Sequence, residues 1–375
     1  MEAFFKEKTM RYYVVAGERS GDLHASNLIT ALREEDPEAM FFGMGGDLAE
    51  AAGLQLSLHY QELAVMGFWE VLKGLPKVYR CLRLIKKDIR VRKPQKVILV
   101  DYGGFNMKIA KFCKGEGIPV HYYIPPKIWA WNRSRAHKLK RYVSAVYCIL
   151  PFEADFFREY GIPTHYIGNP LRDEIAKFSP HPFFYQKNEL GYRPIIALLP
   201  GSREQEVRNM LDIMLALLPE FSEFQFLIAG VDNLPRTLYA KAEAAGIRVL
   251  YNQTYDILHH ASAAVVTSGT ATLEVALFRV PQVVVYRTSP LSYAIAKRLI
   301  RVPYISLVNL ISGEETVKEL IQEDFNPIAL KKYLMEALHP MKKQGMLAGY
   351  AQISEKIGFQ DASKEAARLI TASPT

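Results

Sequence analysis

Short runs of β-branched, aromatic and aliphatic residues recur along this chain, and a stretch of helical character follows almost every one. One series occupies 11–17, 40–45, 96–101, 120–124, 145–150 and 165–168. A second occupies 195–200, 225–229, 248–251, 263–267 and 282–286. The runs are nearly continuous in apolar character. Strands buried on both faces read that way, and they belong to parallel sheets covered by helices on either side. Two series predict an α/β chain with two Rossmann-like domains. The segment 173–193 carries Pro180, Pro182 and Gly191, with Pro194 just beyond, and reads as a linker. The expected division is 1–172, the linker 173–193, 194–340, and C-terminal helices over 341–375 that return to the first domain. In open α/β sheets ligands bind beyond the carboxyl ends of the strands. Chemistry is therefore sought on loops that leave strands.

A chain of 375 residues is long enough for two ordinary domains. It is 49% hydrophobic and 23% charged, as a folded globular protein is. No apolar run reaches the roughly 18 residues of a membrane span. The N-terminal stretch MEAFFKEKTMRYYVV does not have the shape of a secretory signal. Cys81, Cys113 and Cys148 are widely spaced and odd in number, which points to neither a disulfide framework nor a zinc site. A reducing cytosol fits.

The net charge is +8 and uneven. From Lys73 to Lys96 run Lys77, Arg80, Arg83, Lys86, Lys87, Arg90, Arg92 and Lys93, with Asp88 the only acid. Such a stripe is either a solvated helix face or a surface for a polyanionic partner. The preceding LAVMGFWEVLKGLPKVY carries Met66, Phe68, Trp69, Leu72, Leu75 and Tyr79. Apolar and aromatic residues beside a basic helix describe a membrane-interfacial surface, although the same residues would also suit a core.

Five loops carry the informative residues. In TSGTATLE, Thr267 to Glu274, an apolar run leaves through small and hydroxylated residues, and a carboxylate follows one helical turn later. The segment is either a capped βα corner or an anion site with a carboxylate placed for a sugar hydroxyl. In LLPGSREQEVRNML, Ser202 reads as a helix cap. Arg203 reads as a first-turn guanidinium aimed at an anion, and Glu206 as the partner in a capping box. Both loops lie in the second series, so two helix N-termini can converge on a diphosphate. In VVAGERSGDLHASNLITAL a glycine-rich turn opens a helix. In VILVDYGGFN, Asp101 stands where a buried strand gives out, suited to a general base or to bracing a loop. In IPPKIWAWNRSRAHKLKRY, Trp129 and Trp131 suit sugar rings, acyl chains or a core.

The ordered set AGERSGD, GMGG, ELAVMGFWEVL, VDYGGFN, PPKIWAW, LPFE, IGNPL, LLPGSR, SGTATLE and VKELIQ resembles lipid-A-disaccharide synthases, from about Val14 to Gln322. The resemblance implies a glycosyltransferase B fold. It also implies transfer of 2,3-diacylglucosamine from its UDP derivative to 2,3-diacylglucosamine 1-phosphate. UDP leaves, and the product is the β-1,6-linked precursor of lipid A in lipopolysaccharide synthesis. It implies a peripheral protein on the cytoplasmic face of the Gram-negative inner membrane. It places Asp101 as catalytic base. It places Gly201, Ser202, Arg203, Ser268, Gly269, Thr270, Ala271, Glu274, Asn309, Glu319 and Gln322 at the UDP donor. Gly17, Ser20, Gly21, Met66, Phe68, Trp69, Leu72 and Trp129 would face the acceptor or lipid.

The chain departs from the family in places. It has DYGGFN where the family often reads DAPDFN, GNP for GHP, AGERSGD for AGEASGD, and SLVN for SLPN. These changes bear more on acceptor detail than on reaction class. No D-x-D occurs anywhere, so no metal or other cofactor is expected. Partners are expected to be the two substrates and an anionic membrane surface, not nucleic acid, and the helical tail is compatible with a homodimer. Two rivals use parts of the same pattern. A UDP-N-acetylglucosamine 2-epimerase would share the fold, and a non-catalytic membrane or nucleic-acid binder would use the basic stripe.

Overall fold

The computed structural model describes residues 9–63, 68–300, 302–358 and 361–374, with backbone alone for 68–75. The chain divides into two compact units, one of residues 1–170 with 359–375, the other of 171–358.

The first unit is built on a seven-stranded parallel sheet. Its strands are β1 (Arg11–Ala16), β2 (Met40–Gly45), β3 (Leu54–His59), β4 (Lys96–Val100), β5 (Val120–Tyr123), β6 (Ala145–Cys148) and β7 (Thr164–Tyr166). Their spatial order is β3-β2-β1-β4-β5-β6-β7. The chain thus builds outward from β1 on one side, then crosses back to place β4 on the other. β1 and β4 are paired along their length, Tyr12 beside Lys96 and Ala16 beside Val100. Every residue of β4 is buried, which is why it reads as a continuous apolar run.

The second unit repeats the plan with β8 (Ile195–Leu199), β9 (Gln225–Gly230), β10 (Arg248–Tyr251), β11 (Ala261–Thr267), β12 (Gln282–Tyr286) and β13 (Lys318–Ile321). The order is β10-β9-β8-β11-β12-β13, and here the reversal falls between β8 and β11. All pairings in this sheet are parallel.

Three expectations need correction. β3 and β13 are strands that the sequence reading lacks. Both are sheet edges, and LQLSLH and KELI alternate or carry charge where the central strands are uniformly apolar. The proposed linker is largely folded. It holds the helices Pro170–Lys177 and Phe184–Lys187, and Phe184 is buried with its ring stacked on His260. Its prolines therefore mark turns on the surface of the second unit.

The third correction concerns the C-terminal return, which is made by a single helix. Pro340–Lys356 packs on Pro327–Leu338 and Leu307–Ser312 in the second unit. Only Ala362–Ala372 joins the first unit, laying Ala362, Ala366, Ala367 and Ile370 against the core that contains Ala25, Leu28 and Leu32. The alanines let the helix approach Arg19–Glu35 closely. Lys96, assigned from sequence to the basic stripe, is instead fully buried at the start of β4. Its ammonium donates to the carbonyls of Ile370 (2.6 Å), Thr371 (3.2 Å) and Ser373 (2.7 Å), which end that helix. Among the described residues no helix is long and apolar enough to cross a membrane.

Candidate active site

In each sheet the reversal of strand order opens a crevice beyond the carboxyl ends of the two central strands. In the first unit that crevice is bordered by the loops after β1 and β4. Asp101 follows β4, half-buried, and its φ is +46°; Tyr102 follows at +47°. Two consecutive non-glycine residues in left-handed backbone form a strained turn. It is held from several sides. The Tyr122 hydroxyl donates to the Asp101 carbonyl at 2.7 Å. The buried Asn106 amide donates to the same carbonyl at 2.8 Å and to that of Val100 at 3.1 Å. The Tyr102 ring lies over Gly17, where a Cβ would stand 2.4 Å from the ring. Gly17 of AGERSGD is thus a glycine because the second loop packs directly on it.

Burial raises the Asp101 carboxyl above the ordinary carboxylate range, opposed by the Lys127 charge and the Tyr102 main chain. A carboxylate of raised basicity, fixed by its own main chain at a switch point, suits proton abstraction.

The neighbouring motifs are largely structural. Asp22 of AGERSGD is buried and accepts from the N–H groups of Gly46 (2.6 Å), Leu48 (3.2 Å) and Ala49 (3.1 Å). It caps the helix Asp47–Ala51 and so explains GMGG as the chain it grips. Ser20 is exposed on the first turn of Arg19–Glu35, and Gly21 is buried beneath it. Trp129 does not face a lipid surface. It is 5% exposed, stands edge-on to Phe152, and its indole N–H donates to Glu153 at 2.8 Å. Glu153, of LPFE, also accepts from the Leu150 N–H, and burial pushes its carboxyl up to about 7. Met66 lies outside the described residues, as do the side chains of Phe68, Trp69 and Leu72. The helix Phe68–Arg92 that follows exposes Lys77, Arg80, Arg83 and Lys87, along with Tyr79, Leu84 and Val91.

In the second unit the crevice is bordered by PGSR after β8 and TSGT after β11. Gly201 has φ +118°, and a Cβ there would meet Glu206 Cβ at 2.5 Å. Glu206 folds back because it caps the helix Glu204–Leu215, accepting from Ser202 N–H (2.9 Å) and Arg203 N–H (3.2 Å). The N-cap is Arg203, not Ser202. Its exposed guanidinium pairs with Glu206 at 2.8 Å rather than pointing away from it.

Beyond β11, Ser268 donates to the Ile305 carbonyl at 2.8 Å, and Gly269 and Thr270 are exposed. Ala271 begins the helix Ala271–Leu277, and Glu274 stands on its first turn. The Tyr255 hydroxyl donates to Glu274 at 3.2 Å and lies 3.5 Å from Glu174. Burial raises both carboxyls above the usual range, against the Tyr255 hydrogen bond; the Glu174 charge raises Glu274 further, and the Asp173 charge raises Glu174. The Tyr255 ring is held between Phe178 and Phe278. Tyr255 and Glu174 were missed from sequence, since nothing local to either marks it as a neighbour of Glu274.

Asn309, Glu319 and Gln322 are placed beside this crevice but are occupied within the protein. Asn309 is buried, bonded to both main-chain groups of Val317 and to Glu319 at 2.9 Å. Glu319 accepts from Ile305 N–H, Ser306 N–H and the Ser306 hydroxyl at 2.9, 2.9 and 2.7 Å. The Gln322 side-chain carbonyl accepts from Thr288 N–H (2.7 Å), and its amide N–H donates to the Thr288 carbonyl (3.1 Å). Through these bonds the three residues hold the loops that border the crevice.

Two parallel α/β sheets, each with loops gathered at its switch point, define the glycosyltransferase B class. Solved structures agree at the level of fold. UDP-N-acetylglucosamine 2-epimerase from Neisseria meningitidis bound to UDP-GlcNAc is 13% identical with TM-score 0.64, covering 96% of this chain and 98% of that one. A calicheamicin glycosyltransferase is 14% identical with TM-score 0.60, covering 97% and 98%. The family model for lipid-A-disaccharide synthetase matches residues 12–370. Lipid-A-disaccharide synthase from Myxococcus xanthus is 36% identical over 371 residues, 96% of each chain. That from Syntrophus aciditrophicus is 37% identical over 366 residues, 94% of this chain and 95% of the relative. The chain belongs to the lipid-A-disaccharide synthase family and is a glycosyltransferase.

Proposed function

We propose that this enzyme transfers 2,3-diacylglucosamine from UDP-2,3-diacylglucosamine to the 6-hydroxyl of 2,3-diacylglucosamine 1-phosphate, with inversion. The first unit receives the acceptor and the second the UDP-sugar. Asp101 takes the proton of the acceptor hydroxyl as that oxygen bonds to the donor's anomeric carbon. The bond from that carbon to the diphosphate breaks, and UDP leaves with the electron pair. Gly201, Ser202, Ser268, Gly269, Thr270 and Ala271 line the diphosphate path. Arg203 exchanges Glu206 for phosphate oxygens, stabilising the charge that develops on the leaving group. Glu274 accepts from the ribose, steadied by Tyr255. Asn309, Glu319 and Gln322 keep the surrounding loops in place.

The observation that carries the reading is the clamped Asp101 turn at the switch point of the first sheet. The exposed cations and apolar residues of Phe68–Arg92 support attachment to an anionic membrane face.

The test is UDP release from the acylated donor in detergent micelles, with and without acceptor. Acceptor-dependent release with a disaccharide product is expected. Asp101→Ala should lower it by roughly 10² to 10⁴ with an unchanged unfolding transition. Near-normal turnover in that variant would remove Asp101 from the role.

A further inference from the structure

Between β12 and β13 the chain makes an excursion tied at both ends to side chains near β13. Gln322 holds Thr288 at its start, and Glu319 holds Ile305 and Ser306 at its end. Between the ties lies the helix Pro290–Leu299, which begins at Ser289; that hydroxyl accepts from Ser292 N–H at 3.2 Å. No residue of this helix is buried. Leu291, Ile295 and Leu299 recur every fourth position and are 73%, 51% and 51% exposed; Ile300 follows at 41%. A helix placed this way is positioned by the polar ties at its ends, and its apolar stripe is left outward. Surface helices in water turn their apolar stripe inward.

The charge around it is one-sided. From Val275 to Gly313 the sequence has Arg279, Arg287, Lys297, Arg298 and Arg301 and neither Asp nor Glu. Lys297 lies against the Tyr293 ring at 6.0 Å, and neither it nor Arg298 forms an ion pair with a described residue. An outward apolar stripe with uncompensated cations beside it is complementary to an anionic lipid surface, more than to a protein partner of mixed charge.

We propose that Pro290–Leu299 is a membrane-docking element of the second unit. Leu291, Ile295, Leu299 and Ile300 enter the bilayer interface, while Lys297 and Arg298 meet lipid phosphates. It is separate from the basic helix of the first unit. It deepens the function proposed above and rests on it in one respect: an acylated donor resides in a bilayer. The helix leaves the carboxyl end of β12, the end of the sheet that also bears PGSR and TSGT, since all strands run parallel. Docking there brings the donor loops to the surface where such a donor lies.

The experiment measures partition of the full chain onto vesicles of phosphatidylcholine with about one-third phosphatidylglycerol. Two variants are compared with the unaltered protein: Leu291→Ser/Ile295→Ser/Leu299→Ser, and Lys297→Gln/Arg298→Gln. The first should partition on the order of tenfold more weakly. The second should lose about fivefold per cation at low salt, and the loss should shrink as salt is added. Both should keep their unfolding midpoint and their acceptor-dependent UDP release in micelles. Unchanged vesicle partition in both variants, with micellar activity intact, overturns this inference and leaves the proposed reaction standing. Conversion of a dimer to monomers by the first variant, with vesicle partition unaltered, also overturns it and assigns the face to a second copy of the chain. Absence of micellar UDP release in the unaltered protein would instead strike the reaction, while the vesicle measurement would still decide the docking helix.

Discussion

Glu153 shows how one buried carboxyl can impose a pH dependence on stability. Its ordinary value is 4.5, and burial lifts it to about 7, against the Trp129 and Leu150 hydrogen bonds and the Lys127 charge. Between those two values the unfolded chain has released the proton and the folded chain still holds it. Stability contributed by this group is therefore full below about pH 4.5 and declines as pH rises towards 7, by about 3 kcal/mol in all. Glu153→Gln should flatten the stability profile by that amount across this window, read by urea unfolding at a series of pH values. An identical slope in both proteins would place the titration elsewhere. The places of two residues in the fold were legible before the structure: Asp101 at the end of a buried strand, and Glu274 on the first turn of a helix. The clamps on them were not. Tyr122 and Tyr255 reach their partners from 21 and 19 residues away, and such contacts follow from strand and helix packing instead of from any local pattern. Trp129 was read outward because an indole suits lipid as well as it suits a core, and only the position of Glu153 decides between them.

At the scale of elements, polar side chains from a short edge strand and the turn after it govern loops that sequence alone makes the centre of attention. Gln322 has left-handed backbone, φ +55°, and its amide satisfies both main-chain groups of Thr288. Gln322→Ala would leave that pair to water or without partners, costing about 1–3 kcal/mol. Because Gln322 holds a loop and is not a reacting group, the donor KM should rise several-fold while kcat changes less. A fall in kcat with unchanged KM would contradict this role. The central strands were readable because burial on both faces makes them uniformly apolar. β13 was not, because Lys318 and Glu319 interrupt a strand of four residues. The supposed linker was misread for a related reason: prolines announce turns, and turns occur on packed surfaces as well as between domains.

At the scale of the molecule, the first unit is discontinuous in sequence. Its sheet is closed by a helix that arrives after the whole second unit, and Lys96 secures the end of that helix through three carbonyls. Lys96→Met removes all three hydrogen bonds and the cation that complements the helix C-terminus. A loss of about 3 kcal/mol or more is expected, with Ala362–Ala372 the first segment to gain amide exchange. Uniform exchange across both units would contradict a local clasp. The clasp also sets an order of events during synthesis. Lys96 and Ser373 lie 277 residues apart, and ribosomes add roughly 5–20 residues per second. For some tens of seconds the nascent first unit has its strands but lacks their final cover, leaving Leu28 and Leu32 without their alanine-rich lid. The second unit meanwhile has all of its sheet before that lid is made. This is a protein whose first half emerges earliest and is finished last, and its exposure to chaperones on the ribosome should be longest at the beginning of the chain.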